Sequence, residues 1–432
     1  MSTDWEIGYA ECDITPRVGH SFMTGFGRDR ICQGTHLPLI AQAVAIQDSD
    51  GATSALMAVD VLSFDRPFIN SLRHTIGEKH GVAPEAIAVC ASHTHWGPAV
   101  NYSVSLSCGQ INPWYVAELE DKLLGLVDDA MSSLASGTVQ YGSLETRIGH
   151  HRRTPGGQTW APNPEGSYDT HTPVLRLRRE GSSGEILLVG HACHPTSSGA
   201  MDMWTPDYPS AMRRRIREIL GDQSRGMFVM GCGGDAKVTH KAAETGKWVF
   251  SSSVEDADKA GVALADAALT CVTQEALTEL TGTLKCVRAS GNLTMTEGWP
   301  VERIEALATS GAPNSHETWW ARQMMALPMV SRQFAYEVLA WRLGDALSVL
   351  FLEGEVCSGL GPLARSLTQT PHAMAVGYAN VTAAYIPTRQ IVIEGGYEGE
   401  SSHRAYFLPA PFTEAVESEF TTVMQNAVDN LQ

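Results

Sequence analysis

Three short apolar runs in this chain each end in residues that do chemistry, and that recurrence restricts the possible folds more than any other feature. Ile87-Ala88-Val89-Cys90-Ala91 leads into Ser92-His93-Thr94-His95-Trp96-Gly97-Pro98. Ile186-Leu187-Leu188-Val189 leads into Gly190-His191-Ala192-Cys193-His194-Pro195-Thr196-Ser197, and Leu347-Ser348-Val349-Leu350-Phe351-Leu352 leads into Glu353-Gly354-Glu355. Short apolar runs of this kind read as buried strands. Open α/β sheets bind ligands beyond the carboxyl ends of their strands, so two histidine clusters and a carboxylate in that position point to one shared site. Side chains two residues apart share a face in an extended segment, so His93 and His95 are expected to converge on one point. Neutral imidazole is the commonest side-chain metal ligand and the natural proton carrier near pH 7. Taken singly, a His-x-His pair reads as well as a solvated or structural pair, and His191, Cys193 and His194 as caps of a polar sheet edge. Both clusters together favour a site.

The rest of the chain alternates in the same manner. Strand-like runs at Ala41–Ile46, Ser54–Val59, Val174–Leu177 and Met227–Met230 are separated by helical patterns at Pro67–Lys79 (ended by Gly81), Trp114–Ala135, Tyr208–Leu220 (ended by Gly221), Ala260–Thr273 and Phe412–Leu431. This predicts an α/β fold with sheets covered by helices. Leu280–Ser290 reads as an antiparallel strand, so mixed sheets in several layers are expected, α/β/β/α among the arrangements this allows. Thr154–Asp169 and Gly291–Trp320, rich in Pro, Gly, Trp and His, read as long loops able to wall a substrate site. With 432 residues, 43% of them hydrophobic, the chain has enough apolar material for one large core, and we expect a single catalytic domain over residues 1–432.

Charge narrows the partners. Thirty-one basic against forty-eight acidic residues leave −17, which disfavours nucleic acid and anionic membranes. A small-molecule substrate and, at most, a homodimer are expected. The start, Met1-Ser2-Thr3-Asp4-Trp5-Glu6, has neither the basic nor the apolar region of a signal peptide, and nine cysteines scattered through apolar runs fit free thiols, so a cytoplasmic setting is expected.

Several motifs together resemble the neutral, non-lysosomal ceramidases, a family of zinc amidohydrolases, and the resemblance covers nearly the whole chain. Gly8-Tyr9-Ala10-Glu11-Cys12-Asp13-Ile14-Thr15-Pro16 resembles that family's opening strand, and Gly34-Thr35-His36-Leu37-Pro38-Leu39 the segment after it. His93-Thr94-His95-Trp96-Gly97-Pro98 is similar to its His-Thr-His-x-Gly-Pro motif. His194-Pro195-Thr196-Ser197 with Asp207-Tyr208-Pro209, Gly354-Glu355, Tyr385-Ile386-Pro387-Thr388 and Tyr397-Glu398-Gly399 match later elements in order. The resemblance implies a ceramidase-like catalytic fold in which one Zn²⁺ is held by His93, His194, Glu355 and Tyr385. It also implies that His95 and Tyr397 serve catalysis, His95 by proton transfer to a leaving amine and Tyr397 by a hydrogen bond to the oxyanion, while Arg153 contacts substrate. Tyr385 reads equally as a packed core tyrosine, Tyr397 as a loop aromatic and the Arg153 run as a solvated basic loop. Histidine with carboxylate also suits Mn²⁺ or Fe²⁺.

The chain departs from the family at two places. Where the family carries Gly-Asp-Val-Ser-Pro-Asn, this chain has Gly234-Asp235-Ala236-Lys237-Val238-Thr239, so a serine nucleophile is replaced by Lys237. Direct attack by zinc-bound hydroxide is then preferred, with Lys237 and Asp235 as substrate-binding groups. Trp96 stands where the family has a small serine, and either narrows the cleft against substrate or sits partly buried. Secreted ceramidases continue into an immunoglobulin-like C-terminal domain, which is not expected here. The sequence therefore leads to a zinc-dependent amidohydrolase of a small soluble N-acyl or lactam-like compound. True ceramidase activity on N-acyl sphingosine, an esterase or lactonase, and a non-catalytic zinc-holding binding protein are the alternatives.

Overall fold

The computed structural model describes residues 5–25, 30–105, 108–274, 277–313, 315–326 and 331–432. Met1 to Asp4, most of the segment read for a signal peptide, and Asn314, in the expected Gly291–Trp320 loop, lie outside the described residues.

The larger of two main sheets runs in the order Arg225–Met230, Glu185–His191, His171–Arg179, Ala135–Glu145, Trp5–Asp13, Ile40–Asp48, Thr53–Val59, Ile87–Ala91, with Thr278–Leu280 pairing alongside Ala135–Glu145. The outermost pair at each end is parallel and the pairs between are antiparallel. Residue alternation sorts its apolar side chains onto two faces. On Ile40–Asp48, Ala41, Ala43 and Ala45 pack with Phe68 and Leu72 of helix Arg66–His80 and with Leu119 and Leu123 of helix Pro113–Ser132. Val44 and Ile46, between them, face Leu339, Trp341 and Phe351 of the second sheet. At the far end, Phe228 and Met230 pack on helices Tyr208–Leu220 and Val254–Gln274, whereas Met227 and Val229 face the second sheet. That sheet, ordered Leu284–Thr294, Gln333–Leu343, Leu347–Leu352, His372–Val376, buries Val338, Ala340, Leu350 and Leu352 on its outer face under Phe420, Val423 and Met424 of the helix Val416–Asn430. The layers are thus α/β/β/α, as the mixed reading allowed.

The two histidine-bearing strands, Glu185–His191 and Ile87–Ala91, stand six steps apart in the larger sheet. Twist of about 20–25° per step accumulates to about 120–150° over six, which nearly reverses the direction of the far strand. Their carboxyl ends therefore meet although the flat strand order would send them to opposite edges. The coil is tied across by buried Gln42, whose Nε2 donates to the Gly226 carbonyl at 2.9 Å.

Most expected elements are present, and the differences have local causes. The helix expected to reach Ala135 ends at Ser132, and Ala135 opens a strand whose Val139 and Tyr141 are buried. The C-terminal helix begins at Val416 rather than Phe412. Gly291–Trp320 is not one loop: it holds the end of strand Leu284–Thr294, the helix Val301–Ser310 and the start of helix His316–Ala326. Thr154–Asp169 is largely irregular but contains the short strand Trp160–Asn163. None of the nine cysteines forms a disulfide. No helix among the described residues is long and apolar enough to cross a membrane.

Candidate metal centre

His93 follows the strand Ile87–Ala91 by two residues and is held by its backbone N–H on the Val61 carbonyl at 3.0 Å. Its φ of 64° is left-handed. His93 and His95 do converge, with ring centroids 5.0 Å apart, but a tight turn brings them together and not the same-face alternation of an extended strand. His194 lies just beyond Glu185–His191 and donates its backbone N–H to Ala236. Glu355 and Tyr385 sit opposite one another in a two-residue parallel pairing of Glu355–Val356 with Tyr385–Ile386.

These ends deliver their donor atoms to one point. His93 Nε2 is 3.3 Å from Glu355 Oε2, His194 Nε2 is 3.0 Å from the same oxygen, and His95 Nε2 is 3.4 Å from His93 Nε2. Ligands at about 2.0–2.1 Å around a tetrahedral ion are separated by about 3.3–3.4 Å, so these spacings match the edges of a zinc-sized coordination shell. The ligand atoms of His93, His95 and His194 all lie within 4.8 Å of one another, so His95, expected to stay off the metal, is also within the group able to hold an ion. His93 Nδ1 donates to the Leu62 carbonyl at 2.8 Å and His194 Nδ1 to the Gly233 carbonyl at 2.7 Å. Each of these bonds fixes the tautomer that leaves an Nε2 lone pair facing inward.

Electrostatics keep His194, His95 and Glu355 in the form a cation needs. Burial, reinforced by Arg152, pushes His194 down to about 4, and burial with the neighbouring His93 and His194 holds His95 well below the usual imidazole range. Burial alone would raise Glu355, but His93 and His194 hold it well below the carboxylate range. Three tyrosines surround that carboxylate. Tyr406 donates to Oε1, Tyr378 to Oε2 at 3.4 Å, and the Tyr385 hydroxyl accepts from Arg152 at 3.1 Å. Burial and Glu355 raise all three phenols. Tyr378 and Tyr406 were missed from sequence. Tyr378 carried a usable signal, since it follows the run Ala373-Met374-Ala375-Val376 as the histidines follow theirs.

The remaining expected residues divide. Tyr397 packs edge-on to Tyr385 at 5.4 Å and to Trp160 at 5.3 Å, beside the centre. Arg153 does not face it: its guanidinium is bound by Glu398, Glu394 and the Gly395 carbonyl. Arg152 is the arginine that reaches in, with Nη1 3.5 Å from His194 Nε2 and Nε on Glu398 at 2.8 Å. A bulge between His151 and Arg153 sets that direction, which is why a one-residue shift escaped the sequence reading. Trp96 is no cleft wall: at 2% exposure it belongs to the core under helices Arg66–His80 and Pro113–Ser132. Asp235 is likewise not presented to a ligand, its carboxylate accepting from the Ser358 N–H and hydroxyl and contacting His151 at 3.2 Å. Lys237 is half-buried, bridged through its backbone to His194. His191 is a core histidine between Tyr168 and Thr172, and burial raises the Cys193 and Cys232 thiols.

Two solved structures share this architecture. The neutral ceramidase of Pseudomonas aeruginosa is similar with a TM-score of 0.79 at 17% identity, over 100% of this chain and 75% of that one. A ceramidase complexed with C2 gives 0.78 at 16% identity, over 99% of this chain and 75% of that one. No protein-family model and no curated protein matches the sequence. The motif resemblance therefore holds in three dimensions as a likeness of fold, and over its whole length this chain is built like a neutral ceramidase.

Proposed function

We propose that the chain is a metal-dependent hydrolase that cleaves an amide bond in a small soluble N-acyl or lactam-like compound. The observation that carries this reading is the convergence of His93, His194 and Glu355 at 3.0–3.3 Å spacing, with both Nδ1 atoms locked on carbonyls. Those three residues would hold a zinc ion, with Tyr385 beside Glu355 as the fourth donor. Zinc bound there supplies Lewis acidity to the carbonyl and to water at neutral pH. His95 is the most open of the three histidines, and its imidazole is held neutral, so its ring accepts a proton from the attacking water and returns it to the leaving nitrogen. Tyr397, whose hydroxyl stays protonated because burial and Glu355 raise it, donates a hydrogen bond to the developing oxyanion. Arg152 lies on the inward side, its Nη1 3.5 Å from His194 Nε2 and its Nη2 donating to the Tyr385 hydroxyl at 3.1 Å, and so positions both side chains. Lys237 in place of a serine supports attack by water without an acyl-enzyme.

Cleavage of N-acyl sphingosine is the second reading, favoured by the name of the structural neighbours. One experiment separates the roles and the readings: metal content and turnover of short N-acyl amides and of a fluorescent ceramide, compared across the wild type, His93→Ala and His95→Ala. His93→Ala is expected to lose both metal and activity. His95→Ala is expected to retain metal while kcat falls about 10²–10⁴-fold. Metal bound with no turnover of any amide or ester by the wild type would leave a binding protein instead.

A further inference from the structure

We propose that Lys237 binds a carboxylate carried by the substrate a few bonds from the scissile amide, which makes the substrate class N-acyl amino acids; this rests on the amidohydrolase reading above. Lys237 sits on strand Ala236–Lys241, in register with His150 on one side and bridged to His194 on the other. Ala236 and Val238 beside it are buried inward, so the lysine projects from the opposite face. Its Nζ lies 5.1 Å from the centre of the Phe250 ring, and its charge acts on both Arg152 and His95.

The charges nearby are already compensated, and Lys237 is the exception. Arg152 is engaged by Glu398 and Tyr385. Asp207, an anion whose charge acts on Lys237, accepts from the N–H groups of Ser197, Ser198 and Tyr208 and from the Ser198 hydroxyl. Among the described residues the Lys237 ammonium has no hydrogen-bond or ion-pair partner, only the Phe250 ring. A half-buried ammonium against a second cation is unfavourable unless a ligand brings the counter-charge. The site wall thus carries a local positive surplus on a chain of net charge −17. A carboxylate is the compact oxyanion that suits a single ammonium. On the opposite side, Trp160, 46% exposed and stacked on the Arg152 guanidinium at 4.3 Å, offers an apolar rim for the acyl part.

The test compares N-octanoylglycine with its neutral analogue N-octanoylglycinamide on the metal-loaded wild type, Lys237→Met and Lys237→Arg, reading KM and kcat separately where hydrolysis occurs and Kd by calorimetry where it does not. The wild type should favour the carboxylate at least about tenfold in KM or Kd, Lys237→Met should reduce that ratio to near one, and Lys237→Arg should keep most of it. A wild type indifferent to the charge, a preference that survives Lys237→Met, or failure of both compounds to bind or react overturns the proposal. Charge-selective binding without hydrolysis would support Lys237 while contradicting the hydrolase. Hydrolysis without charge preference would do the reverse.

Discussion

At the scale of single residues, the site depends on positions whose chemistry is plain only once their neighbours are known. Gly25, with φ of 96°, lies so close to His95 that an added Cβ would fall 2.4 Å from its Nδ1. Gly25→Ala should push the imidazole off its position and lower kcat about a hundredfold while metal content stays that of the wild type, measured by elemental analysis beside steady-state kinetics. Unchanged kcat would mean that His95 has no fixed role. His191 gives a pH prediction away from the metal. Burial pushes its pKa down to about 4, from 6.5, because Tyr168 and Thr172 enclose a neutral ring. The folded form resists protonation, so its contribution is complete above pH 6.5 and is lost as pH falls through 4. At about 1.4 kcal/mol per pH unit, the loss over that window is of order 3 kcal/mol. Urea titrations of the wild type and His191→Gln should converge as pH drops from 6.5 to 4; parallel stability curves would contradict the assignment. Histidine identity alone could not tell His191 from His194, since the two differ in what encloses them; in the sequence only the Pro195-Thr196-Ser197 segment after His194 set it apart.

At the scale of elements, strand ends were legible because apolar runs of Val, Ile and Leu bounded by polar residues leave little choice: Ile87–Ala91 and Leu347–Leu352 match their expected limits. Strands built from small or polar residues, such as Ala135–Glu145, were hidden, because their burial comes from partners distant in sequence. The α/β/β/α layering was among the readings open to the sequence; the coil that joins the ends of strands six places apart was not, since twist accumulates over a whole sheet. The paired ends of Glu355–Val356 and Tyr385–Ile386 carry the carboxylate, and Gly354 admits the turn before them with φ of 87° and a would-be Cβ 2.8 Å from Ile386 Cγ1. Gly354→Ala should cost about 1–3 kcal/mol in denaturant unfolding and weaken metal binding as well. A loss of stability with unchanged metal affinity would separate this pairing from the site.

At the scale of the whole molecule, two sheets packed face to face place their outer helices away from the centre and bring three strand ends, from both sheets, to one buried point. Fold likeness at 16–17% identity agrees with that arrangement, and the donor spacing gives it a chemical reading. The most direct test is a crystal structure of zinc-loaded protein with anomalous diffraction collected at the zinc edge. We predict one peak about 2.0–2.2 Å from His93 Nε2, His194 Nε2 and a Glu355 oxygen. A zinc ion bound elsewhere, or no peak between those three residues at saturating metal, would contradict the account.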